Sequence, residues 1–204
     1  MNAKLLVPAL CLLSLAASCG SPAKRVDPSG NAGLTTTEDI NFKDWQVAAA
    51  AMVESLKGDP VMAPYNVDNR AIMMVSNVKN KTSLHLDTNL LTDKIRIDLR
   101  KSGKVLTTTA VGAGGKAEEE ASAQVRELKD DPMFDSSTVQ QDGTAVAPKF
   151  ALGGTITQIK TKSGRDKESY FNFKLTLTDL KTGLAVWEDE KEVVKQETRP
   201  LIGG

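Results

Sequence analysis

The residues with the clearest catalytic potential are His85 and Asp87, because a histidine and a carboxylate can together act as a general acid and base. His85 is the only histidine among 204 residues, and no Gly-x-Ser-x-Gly nucleophile motif accompanies it. We therefore predict no catalytic site and give His85 a hydrogen bond within a turn or helix cap. An enzyme that uses His85 and Asp87 stays an alternative.

A glycine-rich segment at residues 112–116 (GAGGK) has some letters of a phosphate-binding loop. The first glycine of that motif would fall at Ala110, and the Ser or Thr that holds magnesium would fall at Ala117, so the match fails. We predict a flexible loop. One histidine and two cysteines disfavour a zinc site, and 26 basic against 26 acidic residues give no net charge to attract nucleic acid. The sequence therefore predicts no metal, no other cofactor and no nucleic-acid partner.

The thiol of Cys19 is the side chain that we expect to be modified. It follows a basic Lys4, an apolar run at residues 5–15 that is too short to span a bilayer, and three small residues at 16–18. This order resembles the lipobox of bacterial lipoproteins, in which the cysteine receives diacylglycerol and an N-acyl chain. Residues 1–18 are then a cleaved signal peptide, and the acyl chains attach the protein to a membrane. Secretion with a free Cys19 is the alternative.

The segment after Cys19 predicts a flexible tether. Residues 19–36 are rich in Gly, Pro, Ser and Ala and have no apolar period, so residues 37–204 form the globular domain. Gly20 and Ser21 follow the cysteine without an aspartate. The lipoprotein resemblance therefore implies an outer-membrane anchor with the domain facing the periplasm.

Helical and strand patterns alternate through the first part of the domain. A capping pattern at residues 35–39 predicts the first helix, and Asp87 or Thr88 predicts the start of the second, whose Leu91, Ile95 and Leu99 face inward. The predicted elements are helix 35–58, strand 70–78, a turn at 80–82, helix 87–102, strand 104–111, helix 118–129 and a loop at 135–148.

The last third of the chain changes to the period of β-strands. Phe171, Phe173, Leu175 and Leu177 alternate with polar residues, which predicts a strand with one buried face. The predicted strands are 150–161, 169–179 and 185–194, joined by turns at 162–167 and 181–183. We therefore predict an α/β (mixed α+β) fold with a single mixed sheet, helices packed on it, and a C-terminal antiparallel meander.

Several local patterns together resemble the LpoB family. They are NKT at 80–82, His-x-Asp-Thr at 85–88, LRKSG at 99–103, Leu-x-Gly-x-Ile at 152–156, DLKTG at 179–183 and VW at 186–187. The similarity extends over about residues 36–195. The order of the motifs, together with the lipobox, is what indicates the resemblance to this family. The resemblance implies a fold similar to the N-terminal domain of TolB.

The LpoB resemblance also implies a function. Members of the family are outer-membrane lipoproteins that bind a class A penicillin-binding protein, a bifunctional peptidoglycan synthase, and stimulate glycan polymerisation without being enzymes. Enterobacterial members have a longer tether than the one predicted here. A secretion lipoprotein like the curli export channel is the alternative, but the hairpin around residues 162–167 is short and charged for a membrane-spanning role.

Two groups of residues are candidates for binding a protein partner. Asn80, Lys81 and Thr82 occupy a predicted turn at a strand end, where loops often carry binding residues. Turn chemistry is the other interpretation, because Asn tolerates left-handed dihedral angles and bonds its own backbone. The second group comprises basic side chains on the outer side of the second helix, which could instead be only solvated: Lys94, Arg96 and Arg100.

Overall fold

The computed structural model describes residues 39–111, 119–141 and 143–198, all within one compact unit, Leu34–Gly204. The predicted signal peptide, Cys19, the tether, the capping pattern at 35–38 and the glycine-rich loop at 112–116 lie outside the described residues. The helices and strands are α1 (Phe42–Gly58), β1 (Ala71–Lys81), α2 (Thr88–Lys101), β2 (Val105–Thr107), α3 (Ala121–Glu127), β3 (Phe150–Ser163), β4 (Asp166–Asp179) and β5 (Ala185–Thr198).

The five strands form one mixed sheet in the order β2-β1-β3-β4-β5. β1 pairs in parallel with β2 and with β3, whereas β3, β4 and β5 pair antiparallel. The predicted single mixed sheet and the C-terminal meander are therefore confirmed. α1 and α2 pack on one face of this sheet and enclose the hydrophobic core with it. We call the opposite face, which those two helices leave uncovered, the open face.

α1 begins later than predicted. Residues 39 and 40 are not helical, and the helix starts at Phe42 because Asn41 and Asp44 form a capping box. Asn41 Oδ1 accepts from the backbone N–H of Asp44 at 3.0 Å, and Asp44 Oδ2 accepts from that of Asn41 at 2.9 Å. The two bonds satisfy backbone donors that the first turn otherwise leaves without partners. The predicted start at 35–39 is wrong for this reason.

α2 follows the prediction closely. Asp87 is its N-cap and accepts from Asn89 N at 3.0 Å, while Gly103 follows its C-terminal end with a φ of 73°. The inward-facing Leu91, Ile95 and Leu99 are at most 5% exposed. Burying three such side chains contributes about 1.5–3 kcal/mol each, which explains why a regular apolar period was enough to locate the helix.

β2 and α3 are shorter than predicted. β2 ends at Thr107, because the chain leaves the sheet after Thr108 N bonds to Met73 O. α3 spans only seven residues and continues as a 3-10 turn at Leu128–Asp130, and none of its side chains is buried. The lengths predicted for the helix (118–129) and the strand (104–111) are therefore too great. The residues that were wrongly included gain little from packing.

β3 and β4 form a hairpin of two 14-residue strands. The predicted turn at 162–167 narrows to Gly164 and Arg165, with Ser163 opposite Asp166 and a φ of 58° at Gly164. The four alternating apolar residues of β4 are at most 3% exposed, as predicted. No helix within the described ranges is long and apolar enough to cross a membrane.

Candidate partner-binding surfaces

The outward side of α2 exposes two large apolar residues. Leu90 is 67% exposed and Ile97 is 49% exposed, and seven residues on a helix bring them to the same face. A groove of about 320 Å³ lies beside Ile97 and is lined also by Arg96, Arg100 and Lys101. We call Leu90, Lys94, Arg96, Ile97 and Arg100 the α2 outer surface. It combines an apolar line with basic side chains on both flanks.

The helix period separates the predicted basic residues. Arg96 and Arg100, four residues apart, lie on one side of the line from Leu90 to Ile97, and Lys94 lies on the other. Lys94 Nζ is 3.7 Å from Asp98, and an Arg96 guanidinium nitrogen is 3.7 Å from Asp93. Ion pairs of this exposed kind are worth about 0–1 kcal/mol, so exchanging such a carboxylate for one on a partner costs little.

Asn80 and Thr82 organise the loop between β1 and α2. Asn80 Oδ1 accepts from Thr82 N at 2.9 Å and from Thr82 Oγ1 at 2.8 Å, and Asn80 Nδ2 donates to Leu84 O at 2.8 Å. The predicted bond of Asn80 to nearby backbone is therefore present. Asn80 does not use the left-handed dihedral angles that asparagine tolerates, because every described non-glycine residue has a negative φ.

Asn80 and Lys81 belong to β1 and not to a turn, which corrects the prediction. They pair with Ile156 and Thr157 because β3 continues alongside them. The strand period places Lys81 on the open face, opposite the layer that contains α2. The structure thus places Lys81 on the open face, keeps Asn80 and Thr82 in the hydrogen bonds of the loop, and does not bring the three together with the basic residues of α2.

Asp87 has a structural role, whereas His85 is exposed in the loop that precedes it. The Asp87 carboxylate caps α2, so the hydrogen bond observed for it is to the helix backbone. Sequence reasoning missed Leu90 and Ile97 as surface residues, although both fall off the inward period of Leu91 and Ile95. It also missed Gln158, whose Oε1 accepts from Ser83 N at 3.0 Å and ties the loop to β3.

The open face carries a polar ladder between β4 and β5. Lys174 Nζ lies 2.9 Å from Glu188 Oε1, Asn172 Nδ2 donates to Glu190 at 2.9 Å, and Tyr170 donates to Glu192 at 2.6 Å. The hydrogen bond from Lys174 is the largest cause that lowers the pKa of Glu188, and the hydrogen bond from Thr176 is the second. The bond to the Glu192 carboxylate raises the pKa of Tyr170, because the phenol must stay protonated to donate. This cross-strand network fixes the side chains in place.

A wide, shallow trough of about 670 Å³ crosses the middle of the open face. Its floor is formed by the small residues Ala151, Gly153 and Gly154 of β3. Its walls carry hydroxyl, amide and ammonium groups from Ser76, Asn77, Lys79, Thr155, Lys174, Thr176 and Thr178. The trough and the α2 outer surface lie on opposite sides of the sheet.

A model of a known protein family matches this chain. The family model described as peptidoglycan-synthase activator LpoB matches residues 44–193, which is more than half of the chain and extends from α1 into β5. No curated protein sequence matches significantly.

Among solved structures, the chain is similar to three structures of LpoB. The C-terminal domain from Salmonella enterica is 16% identical with a TM-score of 0.44, and that from Escherichia coli is 18% identical with a TM-score of 0.43. Each comparison covers 74% of this chain and 98% of the other. An NMR structure of LpoB from Escherichia coli is 16% identical over 95% of this chain and 91% of that one, with a TM-score of 0.39.

Proposed function

The chain belongs to the LpoB family of peptidoglycan-synthase activators, and on that premise we propose that it binds a class A penicillin-binding protein and stimulates its synthesis of peptidoglycan. The family match over residues 44–193 is the observation that carries the proposal, because it includes both packed helices and nearly the whole sheet. The match is to the activator family and does not favour the curli-type alternative.

The proposed location is the outer membrane, with the domain in the periplasm. Lipid on Cys19 provides the anchor, since each buried methylene contributes about 0.8 kcal/mol and two or three chains hold a protein stably. A flexible coil of 17 residues, the length predicted for the tether at 20–36, would have a root-mean-square reach of roughly 20–25 Å. A short tether confines the domain near the membrane and raises the effective concentration of the domain there.

The α2 outer surface is the proposed docking site for the synthase. Leu90 and Ile97 offer apolar area that water covers in the isolated chain, and Arg100 offers a planar guanidinium that can hold a carboxylate through two hydrogen bonds. The complementary patch on the partner would carry an apolar side chain next to acidic residues. Interfaces of this kind concentrate their binding energy in a few apolar and arginine contacts.

The proposed mechanism is allosteric and non-catalytic. An activator that binds one conformation of the synthase more tightly than another shifts the synthase toward that conformation. No side chain of this chain needs to touch the glycan substrate. Its own contribution is a rigid surface, because α2 is fixed to the sheet by Leu91, Ile95 and Leu99.

Binding of the purified chain to a purified class A penicillin-binding protein tests the proposal. We expect the double variant Ile97→Ser and Arg100→Glu to bind at least about tenfold more weakly, because it removes an apolar contact and reverses a charge. Both side chains are exposed, and an acidic residue in the last turn of α2 costs only about 0.3–1 kcal/mol, so the domain should stay folded.

The matched control is the double variant Val47→Ser and Lys181→Glu, which makes the same kinds of chemical change at exposed sites outside α2, on α1 and in the turn between β4 and β5. It should bind like the parent chain. Equal binding by both double variants would reject the docking surface, whereas a parent chain that binds no such synthase would reject the function.

A further inference from the structure

The open face has opposite charges along its two sides. β1 contributes Lys79 and Lys81, while β5 contributes Glu188, Glu190 and Glu192. Lys174 already pairs with Glu188, and Gln196 donates to Glu168 at 2.6 Å. Within the described part of the chain, no ion pair engages Lys79, Lys81, Glu190 or Glu192. Asp166, which shares this face by strand alternation, lies at the turn between β3 and β4.

Strand pairing aligns these charges in rows that cross the sheet. Three successive rows are Lys79-Thr155-Lys174-Glu190, then Lys81-Thr157-Asn172-Glu192, then Ile159-Tyr170-Val194. The first two rows each begin with a cation on β1 and end with a carboxylate on β5. The third row is apolar apart from its phenol, and it exposes Ile159 by 61% and Val194 by 52%.

We propose that two copies of this chain pair through their open faces, about a twofold axis that runs parallel to the strands between β3 and β4. Such an axis places the β1 side of one copy over the β5 side of the other. It leaves the position of each row along the strand direction unchanged. Lys79 and Lys81 then face Glu190 and Glu192 of the second copy, at matching heights and in both directions. The apolar row meets the apolar row of the second copy, so these three rows are complementary to themselves.

Gly153 supports close approach of a second copy. A Cβ atom built on Gly153 would meet no atom within 4 Å, so the isolated fold does not require glycine there. Glycine inside a strand costs about 0.5–1 kcal/mol relative to alanine and often marks a place where another backbone or ligand comes near. In the proposed pair, Thr176 and Lys174 of the second copy lie over this glycine and occupy the trough.

The geometry also suits two chains on one membrane. Lys195 Nζ lies 2.9 Å from Asp44 Oδ2, which holds the start of α1 against the hairpin end of β5. A twofold axis parallel to the strands keeps the strand direction of both copies the same. The start of α1 therefore lies at the same end of the pair in both copies. On the proposed lipidation, both anchors therefore enter one bilayer, and both α2 outer surfaces point away from the pair.

The available surface is large enough for a specific but modest interface. Four strands over about ten residues give roughly 20 Å by 30 Å, or about 600 Å² for each copy. That is the lower end of specific protein interfaces, about 600–1,000 Å² for each partner. The described ends of the segment between β2 and β3 bond to β1 at Met73 and Ile72, away from the three rows.

Cysteine cross-linking of the full chain in cells tests the pair. Thr157 lies beside the proposed axis, so Thr157→Cys should cross-link to its copy with a short bismaleimide and double the apparent mass on a denaturing gel. Adding Lys79→Glu and Lys81→Glu should reduce that product by about tenfold, because like charges would face each other. Co-expression with a Thr157→Cys chain that carries Glu190→Lys and Glu192→Lys should restore it.

Two controls give the background. Ser55→Cys places an exposed cysteine on α1, in the helical layer, and the chain without an added cysteine reports any reaction at Cys19. A Thr157→Cys product no stronger than these, or one that charge reversal leaves unchanged, overturns the pair. Binding to the synthase is measured separately, so failure here leaves the proposed function standing.

Discussion

Gly153 and Gly154 are adjacent on β3 and face opposite sides of the sheet. A Cβ on Gly154 would lie 2.6 Å from Leu175 Cδ2 and 2.8 Å from Lys174 O, whereas one on Gly153 would meet no atom within 4 Å. The carbonyl oxygen belongs to a paired strand and cannot move aside without disturbing the ladder. Of these two glycines, the packing of the core therefore requires only Gly154.

This difference predicts opposite outcomes for two identical substitutions. Gly154→Ala should lower the free energy of unfolding by about 1–3 kcal/mol, the usual cost of overpacking. Gly153→Ala should leave it unchanged or raise it by about 0.5 kcal/mol, because alanine loses less entropy in a strand. Urea denaturation of both variants measures the difference. Equal destabilisation by the two would contradict this description of the β3–β4 packing.

At the scale of elements, the turn between β4 and β5 depends on one carboxylate. Asp179 Oδ1 accepts from Thr182 N at 3.0 Å and from Lys181 N at 2.9 Å, and Gly183 follows with a φ of 74°. The backbone bond from Thr182 is the largest cause that lowers the pKa of Asp179 below its ordinary value. The charged form is thus favoured in the folded chain.

A lowered pKa gives a definite sign for the dependence of stability on pH. The charged Asp179 adds stability above its ordinary pKa of 3.8, and that stability is lost as pH falls through the lower folded value. Asp179→Asn keeps an acceptor oxygen but cannot ionise. Its unfolding free energy should fall less steeply than that of the parent below about pH 4, measured by urea denaturation at several pH values. Identical slopes would show that the turn does not stabilise the charged form.

Elements that bury a regular apolar face were predictable from the sequence. Leu91, Ile95 and Leu99 located α2, and the alternation from Phe171 to Leu177 located β4, because burial of these side chains is the main source of their stability. α3 was predicted too long because none of its side chains is buried, and β2 was predicted too long because residues 108–111, which follow it, are not buried either. A period alone cannot reveal which neighbour will cover a segment.

The candidate surfaces were only partly predictable. The charges of Lys94, Arg96 and Arg100 were visible, but Leu90 and Ile97 become surface residues only once the inward side of α2 is fixed by the sheet. Lys81 was assigned to a turn because the sequence does not reveal that β3 runs beside it. Pairing between distant segments decides which side chains share a face, and local patterns contain little information on such pairing.

The whole molecule is organised around a sheet with two different sides. α1 and α2 cover one side and present the α2 outer surface, which we propose contacts the synthase. The other side is the open face, with its charged rows and its glycine floor. Because the two surfaces lie on opposite sides, binding at one leaves the other accessible, and a single small domain can serve as an adaptor.

The rate of glycan polymerisation from lipid II by a purified class A penicillin-binding protein tests the central claim most directly. Adding the chain should raise that rate with a saturable dependence on its concentration, and the Ile97→Ser and Arg100→Glu double variant should require a higher concentration for the same effect. A polymerisation rate that stays unchanged at concentrations which saturate binding would contradict the assignment of this chain as an activator.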